Sequence, residues 1–239
     1  MNFHPDKCNI MSVSNKKNPI EHNYKMENHI LKRVDSVSYL GVQINRDMKW
    51  NGHVQSVAAK ANRTLGFLRR NLGQCPQKVK EQAYISLVRP TLEYASSAWD
   101  PHHQSQIKIL DQIQRRAARF VTNCHSTDKG CITSTLKNLK WESLEHRRKK
   151  QRLNLFHKIT YPQIKTAPKV PNHYTKQPSR YNTRAHHTKR YAHPSQKTNV
   201  FGNSYYPHTI KDWNKLPEEI IEIEDHEKFK HYLDIYFNQ

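Results

Sequence analysis

Tyr39-Leu40-Gly41-Val42, followed by a helix carrying Lys60-Ala61-Asn62-Arg63-Thr64-Leu65-Gly66-Phe67-Leu68-Arg69-Arg70, is the stretch on which the fold depends. Over residues 50–72, Val54, Val57, Ala58, Ala61, Leu65, Leu68 and Leu72 recur every three or four positions. That spacing predicts one continuous apolar stripe on a long amphipathic helix. Upstream, residues 39–44 and 7–13 hold β-branched and apolar side chains between turn formers, which predicts short strands. Gly41 within the first of these marks a bulge or a close backbone approach. Residues 22–26 and 29–32 are expected to pair as a hairpin about Glu27-Asn28. A sheet this small needs other elements to cover it.

Downstream the pattern stays helical. Gly73 is a stop signal, and Pro76 suits the first turn of a second helix. Val79, Ala83, Leu87, Thr91, Tyr94 and Ala98 continue that helix, with Pro90 expected to kink or divide it. Ile107, Leu110, Ile113, Ala117 and Phe120 mark a third helix, and the short links predict an antiparallel bundle. Residues 133–139 and 141–159 predict a short and a longer helix. Residues 205–216 around Trp213 and residues 226–237 predict two more.

The formal charge of +20 is uneven. Residues 101–160 contribute +9, from 13 basic and 4 acidic side chains, whereas residues 201–239 contribute −4. Such a distribution points to a polyanionic partner, usually nucleic acid. Lys108, Arg115 and Arg119 recur at intervals of seven and four, as do Arg63 and Arg70 one helix earlier. Arg147, Arg148, Lys149, Lys150 and Arg152 add a dense cluster. Cations ranked along a helix track a phosphate backbone and release its counterions. Tyr174, Tyr181 and Tyr191 lie among arginines, where stacking on unpaired bases is the functional alternative to a solvated tail.

Residues 161–200 hold five prolines and no acid. Their poor aliphatic content predicts a basic, flexible linker. At 35% hydrophobic and a mean hydropathy of −0.97, the chain is polar, with no apolar run of membrane-spanning length. No signal segment is visible, and four irregularly spaced cysteines predict reduced thiols in an intracellular compartment, nucleus and cytoplasm being indistinguishable. Cys124-His125 and Cys131, with His102, His103 and His157, lack the paired spacing of a structural zinc site, so no metal ligand is assigned. His186-His187 with His193 offers at most incidental metal binding. No nucleophile elbow, phosphate loop or metalloprotease motif is present.

The order Asn2-Phe3-His4-Pro5-Asp6-Lys7-Cys8, hairpin, Tyr39-Leu40-Gly41-Val42 and helices resembles the end of the palm and start of the thumb in LINE-type, jockey-like non-LTR retrotransposon reverse transcriptases. The resemblance extends through residues 82–100, 112–122, 141–152 and the Trp213-Asn214-Lys215-Leu216-Pro217 box. It implies an α+β, mostly α fold. A palm-end remnant with a small antiparallel sheet would span 1–48, a thumb-like three-helix bundle 49–123 and a basic helical extension 124–160. The linker 161–200 and a C-terminal helical segment 201–239 would follow.

The resemblance implies that Lys7 lies near a triphosphate and that Tyr39, Leu40 and Gly41 hold a primer end. It also implies a two-metal site of palm carboxylates, Mg²⁺ being the cofactor of the full-length polymerase. The sequence contains no Asp-Asp pair and begins after the position those carboxylates would occupy. The expectation is a truncated fragment with no catalytic residue, no cofactor and no enzyme activity of its own. It would retain elements that hold RNA, DNA or a hybrid, with the upstream palm and fingers as a further partner and no membrane involved. The alternatives are a stand-alone, non-catalytic RNA- or DNA-binding protein, and a non-functional relic or incomplete gene model.

Overall fold

The computed structural model describes residues 4, 7–14, 16–18, 22–124, 126, 128, 130–162, 168–174, 190–192, 195–196 and 198–238. The fold is mixed α and β, mostly α, and its first core forms around helix α1 (Asn51–Asn71). Val54, Ala58, Ala61, Leu65 and Leu68 of α1 are buried, as the stripe predicts. Helix α2 (Gln77–Ala83) continues through a π-turn at Tyr84–Val88 into α3 (Arg89–Glu93). The widened turn immediately precedes Pro90, which has no N–H for the carbonyl one turn back. The helix therefore widens before the proline, and α3 ends at Tyr94. Ala95 takes a left-handed conformation before the short α4 (Ser96–Trp99), and α5 (Gln104–Thr122) follows.

Two cross-helix bonds set the direction of packing. Gln106 of α5 reaches Asn51 at the start of α1, and Arg116 donates to Asn62 Oδ1 at 3.2 Å further along. Helices α1 and α5 are therefore parallel neighbours. The α2–α3 limb runs back between them, with Lys80 Nζ at its start donating to Asn123 Oδ1 at 2.7 Å beyond the end of α5. Leu65, Leu68, Tyr84, Val88, Leu92, Trp99, Leu110 and Ile113 fill this core. Burying each leucine contributes about 1.5–3 kcal/mol.

A second core surrounds Trp213. Helix α6 (Cys131–Asn138) leads to α7 (Leu144–Thr160), which Ser143 caps by accepting the His146 amide. Leu144 lies in the first core, whereas Leu153 and Phe156 of the same helix lie in the second. The second core is completed by α9 (Tyr205–Trp213), α10 (Glu218–Ile221) and α11 (His226–Asn238). Helix α8 (Asn199–Gly202) packs on α9.

Part of the expected linker belongs to this second core. Val170 and Tyr174 are buried, and Tyr191 packs edge-on to Phe156. Asn214 brackets Tyr191, accepting from its amide at 3.1 Å and donating to its carbonyl at 2.9 Å. Composition averaged over forty residues missed a few apolar side chains that dock individually. Residues 163–167 and 175–189, including Tyr181, His186 and His187, lie outside the described residues, as do His125 and His193.

The N-terminal strands form three separate pairs. β2 (Lys25–Met26) and β3 (His29–Ile30) turn at Glu27-Asn28 as predicted. β1 (Asn9–Ile10) pairs parallel with β4 (Lys32–Arg33), and β5 (Ser36–Tyr39) pairs antiparallel with β6 (Val42–Asn45). The single strand expected over 39–44 is thus broken at Leu40-Gly41 by a hairpin turn: Tyr39 ends β5, and residues 42–44 are strand as expected but in β6. Leu40 and Gly41 both adopt positive φ, 47° and 78°, as a two-residue hairpin turn of this hand requires. Among the described residues, no helix is long and apolar enough to cross a membrane.

Candidate nucleic-acid interface

Helix α1 carries Lys60, Arg63, Arg69 and Arg70 and no acidic residue. Helix α5 carries Lys108, Arg115, Arg116 and Arg119 against one acid, Asp111. All eight cations are exposed. Among the described residues none of them makes an ion pair; Arg116 makes only its hydrogen bond to Asn62. Because the helices are parallel and adjacent, their outer faces form one surface. Where they end together, Arg69, Arg116 and Arg119 line a cavity of about 390 Å³ with Gly73, Phe120 and Asn123. Its chemistry suits an anion with several oxygens, because guanidinium groups present forked donors. Arg69 and Arg116 were not among the sequence-predicted residues. Each adjoins one that was, or sits one position from its stripe, but only the parallel packing of α1 on α5 brings them together.

The basic run of α7 has a different fate. Arg148 is fully buried and donates from Nε to Asp100 Oδ1 at 2.7 Å. Arg152 is 3% exposed, donating to Asp100 Oδ2 at 2.7 Å and to Asp212 Oδ2 at 3.0 Å. Lys149 reaches Asp212 at 3.4 Å. Lys150 pairs with Glu142 and with Asp234 at 2.8 Å, and Arg147 is bidentate on Glu93. These five side chains, predicted as phosphate contacts, are instead counterions of acids brought by other elements. The reason is topological: α4, α9 and α11 all pack on α7, and Asp100, Asp212 and Asp234 lie on or beside them.

The electrostatics of this junction follow from burial. Burial alone would raise the Asp212 carboxyl, but Arg152 and Lys149 outweigh it and hold it below the usual range. Burial, reinforced by Arg152, pushes the neighbouring His208 down to about 4. The two terminal nitrogens of Arg148 are buried with no hydrogen-bond partner among the described residues.

The turn at Tyr39-Leu40-Gly41 is exposed and anchored from below. Tyr94 Oη donates to the Leu40 carbonyl at 3.1 Å, and a Cβ on Gly41 would stand 3.4 Å from the Tyr94 ring. The Gln43 amide donates to His53 Nδ1 at 3.1 Å, and burial lowers the pKa of that imidazole. His53 therefore carries its proton on Nε2. A cavity of about 550 Å³ separates this hairpin from α1 and α3, lined by Ser36, Ser38, Ser56, Lys60 and Thr91 among others. Lys7 is exposed.

Other sequence candidates are dispersed. Tyr174 and Tyr191 serve the second core rather than a stacking platform. His157 is buried there, stacked on Phe229 at 4.1 Å and bonded to the Ile223 carbonyl at 2.7 Å, away from the cysteines. Among the described residues no three His, Cys, Asp or Glu side chains gather as a metal site. Compared with known protein families, curated proteins and solved structures, the chain matches none.

Proposed function

We propose that this protein binds nucleic acid through the outer face of α1 and α5, gripping phosphates without catalysing polymerisation. The observation that carries the reading is the set of eight exposed cations on two parallel helices, with Arg69, Arg116 and Arg119 converging at one end. Cations free of ion pairs exchange small counterions for phosphates and gain entropy on binding. The resemblance to LINE-type reverse transcriptases adds a role for the polymer: a primer–template duplex held as a polymerase thumb holds it. In that role the anchored turn at Tyr39-Leu40-Gly41 faces the primer end, and the palm carboxylates and their Mg²⁺ belong to another part of the polymerase. A stand-alone binding protein would use the same face.

The test is the salt dependence of duplex binding. Replacing Arg69, Arg116 and Arg119 together by Gln should flatten the slope of log affinity against log salt by about 2–3 units. Replacing Lys211, Lys215 and Lys228, exposed on the second core's side, is the control for diffuse charge. Affinity should fall similarly for all sequences, because phosphate contacts position and do not specify. Equal losses from both triple variants would refute a localised binding face. Template-dependent nucleotide incorporation by the purified chain would refute the non-catalytic reading.

A further inference from the structure

Cys124 and Cys131 stand at the junction of α5 and α6, with their Sγ atoms 3.1 Å apart. Both thiols are half-buried and reduced. The backbone brings them together through two left-handed residues, Asn123 (φ 53°) ending α5 and Gly130 (φ 90°) preceding α6. A disulfide bond is about 2.05 Å long, so the sulfurs need approach by only about 1 Å. The two thiols are also chemically unequal. The Cys131 S–H, then the Ser126 amide, Thr135 hydroxyl and Arg119 guanidinium, favour the thiolate of Cys124 and lower its pKa. Cys131, hydrogen-bonded to Cys124, is held above its usual range. One thiol is thus prepared to attack and the other to remain protonated until needed.

We propose that Cys124 and Cys131 form a dithiol–disulfide exchange site whose co-substrate is a low-molecular-weight disulfide of the glutathione type. The Cys124 thiolate attacks one sulfur of the small disulfide, forming a mixed disulfide and expelling the other half as a thiolate. Cys131 then loses its proton to solvent and attacks the Cys124 sulfur, closing the intramolecular bond and expelling the second small thiolate. The protein dithiol is oxidised by two electrons, and one small disulfide is reduced to two thiols. Excess small thiol runs the sequence backwards. This chemistry does not require nucleic-acid binding, although Arg119 belongs to both sites.

The experiment uses the full reduced chain in oxidised and reduced glutathione mixtures. Acid quenching, alkylation and peptide mass mapping then read each cysteine. The expected product is a cross-link between the peptides holding Cys124 and Cys131, two hydrogens lighter and reversed by reduced glutathione, with Cys8 and Cys75 still alkylated. In Cys131→Ser, the mixed disulfide should accumulate on Cys124. In Cys124→Ser the intramolecular cross-link should be lost altogether, and Cys131 should be alkylated as Cys8 and Cys75 are. Oxidation of Cys8 or Cys75 at the rate of Cys124 would overturn the proposal. So would a glutathionylated Cys124 that persists with Cys131 intact.

Discussion

Two basic regions that read alike as sequence behave oppositely in the fold. The α1–α5 face displays eight cations to solvent and pairs none of them with an acid among the described residues. The α7 run, denser in charge, buries Arg148, Lys150 and Arg152 and pairs every one of its five cations. The difference lies in what surrounds each helix. One side of α1 and of α5 meets solvent, whereas α7 lies between two cores and is contacted by helices that supply carboxylates. Local charge density is therefore a poor guide to a binding face; counterions brought by distant segments must be subtracted first.

The largest expected effect comes from breaking the buried junction. Asp100→Asn leaves Arg148 and Arg152 without their shared carboxylate, and losing one partner of a buried pair costs about 3–5 kcal/mol. Urea denaturation should show this loss, while the salt slope of duplex binding by the folded variant stays unchanged. A changed slope with unchanged stability would reverse the roles assigned to the two regions.

Acid should act on the same junction. An unfolded histidine titrates near 6.5, whereas His208 is held at about 4. The unfolded chain therefore takes up a proton that the folded chain refuses. The stability contributed by neutral His208 is complete above pH 6.5 and is lost as pH falls towards 4, by roughly 1–3 kcal/mol. The lowered pKa values of His53 and His157 act in the same direction. Denaturation midpoints measured from pH 7.5 to 4.5 should fall steadily; a flat profile would show that His208 is not held neutral.

A smaller effect is expected at the anchored turn. Tyr94→Phe removes the hydroxyl that holds the Leu40 carbonyl, a loss of about 1 kcal/mol or less. Hydrogen exchange should quicken in the β5–β6 hairpin and not in α5. Uniform acceleration would show that the turn is not a separately anchored unit. The smallest effect per side chain belongs to Arg69, Arg116 and Arg119. Their triple replacement by Gln should change unfolding free energy by no more than about 0.5 kcal/mol per site, since exposed positions away from ion pairs tolerate exchange. A loss of several kcal/mol would mean that these arginines serve the fold as those of α7 do.

The helices were legible in the sequence because burying one face imposes a local period. The stripe at Val54, Ala58, Ala61, Leu65 and Leu68 marks α1, and Pro90 marks a break, whatever the rest of the chain does. The exposed stripes Arg63/Arg70 and Lys108/Arg115/Arg119 follow the same helical period, and the turn at Glu27-Asn28 was legible as a short local hairpin link. Three things were decided by tertiary structure alone. Leu40-Gly41 became a turn because β5 found β6 as its partner. Val170, Tyr174 and Tyr191 left the expected linker because a pocket around Trp213 accepts them. Arg148 and Arg152 became buried counterions because Asp100 and Asp212, 48 and 60 positions away respectively, arrive beside them. Helical periodicity is a property of neighbours along the chain. Charge compensation is a property of neighbours in space, and only the packed fold chooses those.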